Sequence, residues 1–85
     1  MPLCVDIECT TYNKGNPYDQ RNKLVSIHCH DGTQSWSFKP SDKVEVQELI
    51  DKHDLLILFN AKFDISWLRL YSFNVTNKKI YDVQL

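Results

Sequence analysis

Two acidic residues near the start of the chain are the ones best placed to do chemistry. Asp6 and Glu8 stand one residue apart inside the apolar run Leu3-Cys4-Val5-Asp6-Ile7-Glu8-Cys9. In a strand, residues i and i+2 share a face. Asp6 and Glu8 therefore project side by side from a segment that otherwise reads as buried. Adjacent carboxylates there cost free energy unless a positive charge sits between them. A divalent cation is the simplest such charge, and oxygen-only ligands favour Mg2+ or Mn2+ over zinc. An exposed edge strand would also account for the pair, but the flanking Leu3, Val5 and Ile7 disfavour it. A third acid, Asp64, lies in Asn60-Ala61-Lys62-Phe63-Asp64, directly after the most apolar stretch, Leu55-Leu56-Ile57-Leu58-Phe59. Asp64 would stabilise a helix N-terminus, which is compatible with holding a cation.

Cys4, Cys9, His28, Cys29 and His30 lack the CxxC spacing of a zinc knuckle. His28 and His30 share a strand face while Cys29 points to the other. They read as structural cysteines and surface histidines. Three cysteines are an odd number and exclude a full disulfide framework.

The elements that must position these acids follow from the pattern. Residues 3–9 read as a buried strand and residues 10–22 as a polar loop with Gly15, Asn16 and Pro17 as turn formers. Lys23 to His30 alternates as a second strand. Asp31-Gly32 signals a hairpin into Ser35 to Lys39, with Trp36 and Phe38 on one face. Pro40 ends that strand. Ser41 reads as the N-cap of a helix from Asp42 to Lys52, with Val46, Leu49 and Ile50 at helical spacing. Residues 55–59 fit a central parallel strand. Asn60 reads as the cap of a second helix, Ala61 to Tyr71, with Phe63, Trp67 and Leu70 along one stripe. Ile80 to Val83 forms a last short strand. The order β-β-β-α-β-α-β predicts an α/β fold. Its mixed sheet combines a three-stranded antiparallel meander with right-handed crossovers. Sites in such sheets gather at the carboxyl ends of parallel strands. Asp6, Glu8 and Asp64 converge there if the first and fourth strands are neighbours.

The chain has 85 residues, enough for one small domain. It is 42% hydrophobic and 25% charged, which argues against disorder. The net charge of −1 excludes a globally basic nucleic-acid binder but leaves room for a local metal-and-phosphate site. No apolar run approaches the ~20 residues of a membrane span, and no signal-peptide pattern follows Met1. A reducing, cytoplasmic setting is expected.

Asp6-Ile7-Glu8 on the first strand, with Asn60-Ala61-Lys62-Phe63-Asp64 after an apolar strand, resembles the first two motifs of the DEDD 3′–5′ exonucleases. These are DnaQ-like proteins with an RNase H-like fold. Ile80-Tyr81-Asp82-Val83-Gln84-Leu85 resembles the stretch after the second motif, although Val83 stands where a Thr is usual. The likeness is strongest to the proofreading domain of phage-type family A DNA polymerases, of which 85 residues would be the N-terminal part.

The resemblance implies hydrolysis of terminal phosphodiester bonds by two Mg2+ or Mn2+ ions about 4 Å apart. It implies that Asp6 bridges the ions and that Glu8 binds one of them and contacts the terminal 3′-hydroxyl. Asp64 would hold the second ion, directly or through water. It implies as partners the 3′ end of single-stranded DNA, with RNA open, and a polymerase domain in the same or another chain. Ile7, Thr10, Asn60 and Phe63 are the candidate nucleic-acid contacts. Asn60 reads equally as a helix cap alone, and Phe63 and Trp67 read as core before base-stacking platforms. Tyr12, Tyr18, Arg21 and Lys23 read as a solvated loop before a DNA contact, and Asp82 as a structural hydrogen-bonding residue.

The family's third motif, Tyr-x-x-x-Asp or His-x-x-x-x-Asp on a later helix, does not follow Asp82 in this sequence. The 85 residues alone are therefore expected to bind Mn2+ weakly, to hydrolyse DNA negligibly, and to associate through an uncovered sheet face. Two other classes compete. One is a non-catalytic nucleic-acid or protein-binding module of the same fold. The other is an RNase H-like endonuclease or resolvase, which would cut a circular substrate.

Overall fold

Alternation of apolar and polar residues builds the sheet seen in a computed structural model of the chain, which describes residues 2–83. In β1 (Leu3–Cys9), Leu3, Val5 and Ile7 are buried while Cys4, Asp6 and Glu8 occupy the other face. β2 (Leu24–His30) pairs antiparallel with β1 and sets Asp6 opposite His28 and Glu8 opposite Ser26. The turn into β3 (Ser35–Phe38) is held by Asp31, whose Oδ1 accepts from the N–H groups of Thr33 and Gln34 at 2.8 and 2.7 Å. Gly32, at φ +97°, supplies the left-handed residue that this turn requires.

Two crossovers complete the sheet. α1 (Lys43–Asp51) leads into β4 (Leu55–Leu58), which pairs parallel with β1. α2 (Ala61–Leu70) leads into β5 (Lys79–Asp82), which pairs parallel with β4. The strand order is β3-β2-β1-β4-β5. This is the mixed α/β sheet expected from the element order, with the first and fourth strands adjacent.

Both helices bury their apolar stripes on the same side of the sheet. Val46 and Ile50 of α1 and Trp67 and Leu68 of α2 share one core with Leu3, Val5, Ile27, Leu56 and Leu58. Fully burying such a side chain stabilises by about 1.5–3 kcal/mol. This layer therefore determines which face of β1 points inward, and leaves Asp6 and Glu8 exposed on the other. Three polar bonds tie the helices in place. Gln47 exchanges hydrogen bonds with the main chain of Asn74, Nε2 to O at 2.9 Å and N to Oε1 at 2.8 Å. The Tyr71 hydroxyl accepts the Leu24 N–H at 2.9 Å.

Several local expectations need correction. Ser41 is not the cap of α1. The helix starts at Lys43 with Asp42 at the cap position, and Asp42 Oδ2 instead accepts the N–H of Lys39 at 2.9 Å. Asn60 stands at the cap of α2, but its side chain makes no capping bond. Leu70, placed on the apolar stripe, is half exposed because the helix ends there, past Trp67 and Leu68, its last residues in the core. Phe59 falls one residue beyond β4 and is also exposed. Gln84 and Leu85, the end of the stretch compared with the exonucleases, lie outside the described residues.

Candidate active site

The parallel pairing brings acids from two strands, β1 and β5, and from the helix between β4 and β5 to one end of the sheet. Val5 is level with Leu58, and Leu58 is level with Asp82. Asp6 is therefore one residue past the end of β4, and Asp82 is at the end of β5. Asp64 lies in the first turn of α2, which rises from the end of β4 through Phe59 and Asn60.

Asp64 is the unusual member. It is only 4% exposed. Its Oδ2 accepts the main-chain N–H of Asn60 at 3.3 Å, reaching back from the first turn to the cap residue, while the Asn60 side chain makes no capping bond. Burial pushes its carboxyl up to about 6, opposed by the Asn60 N–H, and the charges of Asp6 and Asp82 add to the rise. Asp64 is thus half-ionised near pH 6, facing two further acids across the carboxyl ends of parallel strands. Perturbed carboxyls of this kind cluster at functional sites. Cys9 belongs to the same neighbourhood: burial raises its thiol pKa first, and the Asp64 charge raises it further.

Glu8 is engaged elsewhere. Its Oε1 lies 3.7 Å from His28 Nε2, and its Oε2 accepts from the Ser26 hydroxyl at 3.4 Å. Ser26 Oγ is 3.0 Å from the same His28 nitrogen. Serine and glutamate meet one imidazole nitrogen, so the ring cannot relay a proton between them as a nucleophilic triad does. Asp6, opposite His28, opens onto a groove of about 440 Å3 on the uncovered face, lined also by Cys4, His30, Trp36 and Phe59.

The remaining candidates separate. The Ile7 side chain is buried in the core and is not presented to a ligand. Thr10 is committed to the loop: its hydroxyl donates to Asn22 Oδ1 at 2.9 Å and accepts the Lys23 N–H at 2.8 Å. Phe63 packs against the core, edge-on to Trp67 with ring centroids 6.5 Å apart. Asn60 contributes its main-chain N–H to Asp64.

Carboxylate oxygens at Asp6, Asp64 and Asp82 are the right donor type for a hard cation. Even so, among the described residues no group of three or more His, Cys, Asp and Glu side chains is arranged to hold a metal ion. The pair of ions expected from Asp6, Glu8 and Asp64 together does not fit this arrangement, because Glu8 is turned toward β2. Also among the described residues, no helix is long and apolar enough to cross a membrane.

Sequence reasoning missed Asn22, which is 8% exposed and organises the loop after β1. It missed the His28–Ser26–Glu8 contact as well. The first carries no periodic signal. The second needed the β1–β2 register, which the pattern of either strand alone leaves open. No protein-family model matches the chain, and no curated protein matches it significantly.

Proposed function

We propose that the acidic pole at the ends of β1, β4 and β5 is a phosphodiester-hydrolysing centre of the 3′–5′ exonuclease type, with Asp6 and Asp64 as its principal acids. The observation that carries this is Asp64. A nearly buried carboxyl at the carboxyl ends of parallel strands, raised to about 6 by burial and by neighbouring acids, is the kind of group that functional sites are built on. The strand order supports it too, since Asp6 on β1 and Asp64 on the helix that follows the adjacent parallel strand β4 stand where such sheets build their sites. A divalent cation, when bound, would supply charge for the leaving oxygen and an activated water. The chain's own contribution is to hold two carboxylates in a fixed, partly dry position. Glu8 would have to leave Ser26 and His28 to join them.

The engagement of Glu8 favours a second reading, a nucleic-acid-binding module that does not cleave. The discriminating experiment follows a 5′-labelled single-stranded oligonucleotide with Mn2+, together with Mn2+ binding by the protein and by its Asp6→Asn and Asp64→Asn variants. Weak Mn2+ binding lost in both variants, with at most a slow 3′-end ladder, is the expected result. Equal Mn2+ binding by all three proteins would leave only the non-cleaving module.

A further inference from the structure

The loop between β1 and β2 is built more rigidly than a solvated connection requires, and it presents the chemistry of a nucleic-acid contact. Asn22 holds it from inside. Its Oδ1 accepts from the Thr10 hydroxyl and the Tyr12 N–H, both at 2.9 Å, and its Nδ2 donates to the carbonyls of Tyr12 and Asn16 at 2.6 and 2.8 Å. Three successive residues, Asn13, Lys14 and Gly15, take left-handed conformations with φ of 48°, 58° and 79°. At the apex the Gly15 carbonyl accepts the buried Trp67 Nε1–H at 3.2 Å. The loop is thereby fixed to α2, which carries Asp64, and it springs from the end of β1, which carries Asp6.

What the loop displays is aromatic and basic. Tyr12 is 53% exposed and Tyr18 is 78% exposed. The Arg21 guanidinium lies over the Tyr12 ring, 4.8 Å from its centroid. Asp19 grips that guanidinium through Nε at 3.1 Å and Nη2 at 2.8 Å, and the same bonds hold the Asp19 carboxyl down to about 2, so the grip persists across ordinary pH. Lys14, Arg21 and Lys23 against Asp19 give residues 10–23 a net charge of +2, in a chain whose net charge is −1. A positively charged segment beside an acidic pole is what a polyanion needs to approach carboxylates that would otherwise repel it.

We propose that this loop is a docking platform for single-stranded nucleic acid. Tyr12, backed by Arg21, stacks on a base, and Lys14 and Lys23 neutralise phosphates, which leads the strand toward Asp6 and Asp64. Stacking on an aromatic ring beside basic side chains is the sequence-tolerant way to hold a single strand. The inference deepens the proposed function, yet its test stands apart from it, because binding can be read in EDTA with no cation at the carboxylates.

The test is fluorescence anisotropy of a labelled oligo-dT with the whole chain in EDTA, across a salt series, for the unaltered protein and for Tyr12→Ala and Lys14→Gln/Lys23→Gln. Tyr12→Ala should weaken binding about tenfold or more. The double lysine variant should lower the log–log salt slope by about 0.7 for each phosphate that is no longer neutralised. Both variants alter exposed side chains, and circular dichroism checks that the fold is kept. Unchanged affinity and slope in both, or no binding by the unaltered protein, would overturn the platform. Mn2+ binding measured separately would still decide the carboxylate centre. Oligonucleotide binding abolished in Tyr12→Ala while Mn2+ binding persists would establish the platform independently.

Discussion

Replacing Asp64 by Asn gives the sharpest check on the acidic pole. The amide keeps the size of the carboxyl and an oxygen for the Asn60 N–H, so the charge is what changes. The folded protein holds the Asp64 proton to about pH 6, whereas the ordinary carboxyl value is 3.8. Between those values the folded state binds more protons than the unfolded one. Stability is therefore fully present below pH 3.8 and falls as pH rises toward 6, then levels off. The interval of 2.2 (6 − 3.8) corresponds to an upper bound of about 3 kcal/mol. Asp6 and Asp82 are exposed, and water screens their share, which leaves about 1–2 kcal/mol to be measured. Urea denaturation at pH 4, 5, 6 and 7.5 should show the wild-type chain losing that amount relative to Asp64→Asn, with the variant the more stable at pH 7.5. Mn2+ at ten times its dissociation constant should return about 1.4 kcal/mol to the wild type alone. Parallel pH profiles for the two proteins would mean that Asp64 is not strained by its surroundings, and the case for a cation there would go with it.

Three further outcomes are expected. Gly15→Ala should destabilise by about 1–2 kcal/mol, because Gly15 has φ +79° and an added Cβ would lie 3.2 Å from Cys9 Sγ and 3.3 Å from the Phe63 ring; an unchanged urea midpoint would show that the loop yields freely. Asn22→Ala leaves the Tyr12 N–H and two carbonyls without their partner, and should cost about 2–3 kcal/mol and make residues 10–22 sensitive to limited proteolysis. Cys29, buried and with its thiol pushed up to about 12, should resist iodoacetamide at pH 8 in the folded protein; rapid labelling, read by mass spectrometry, would contradict its packing.

Much of the architecture could be read from the residues because burial alone sets it. The alternation of Leu3, Val5 and Ile7 with Asp6 and Glu8, and the spacing of Val46 and Ile50, fixed faces that the core then confirms. Element ends were less legible. Ser41 and Asn60 carry good capping side chains, yet α1 starts one residue later with Asp42 at its cap, and Asn60 stands at the cap of α2 without a side-chain bond to the helix. The convergence of Asp6 with Asp64 hung on the first and fourth strands being neighbours, a condition left open by the element order and met by the β1–β4 pairing. The orientation of Glu8 did not, since it depends on a cross-strand partner, His28, placed by register. The loop's internal order was hidden as well. Asn22 reads as an ordinary polar loop residue until its partners at Thr10, Tyr12 and Asn16 are seen around it.

The bond from Trp67 to Gly15 joins residues 52 positions apart and lies at the apex of a left-handed run. The backbone cost of Asn13 and Lys14, about 1 kcal/mol each in that region, is offset by the Asn22 bonds within the loop and by this bond to α2. The β1–β2–β3 meander forms from neighbours in sequence, but this loop can settle only after β4 has paired with β1 and α2 has docked. It should therefore be among the last segments to order during folding, and in the native state it should open less readily than an untethered loop but more readily than the meander, which stays intact when it does. Amide exchange would register it as a separate unit: rapid at residues 12–16, slow along β1, and slower at residues 12–16 once an oligonucleotide is bound.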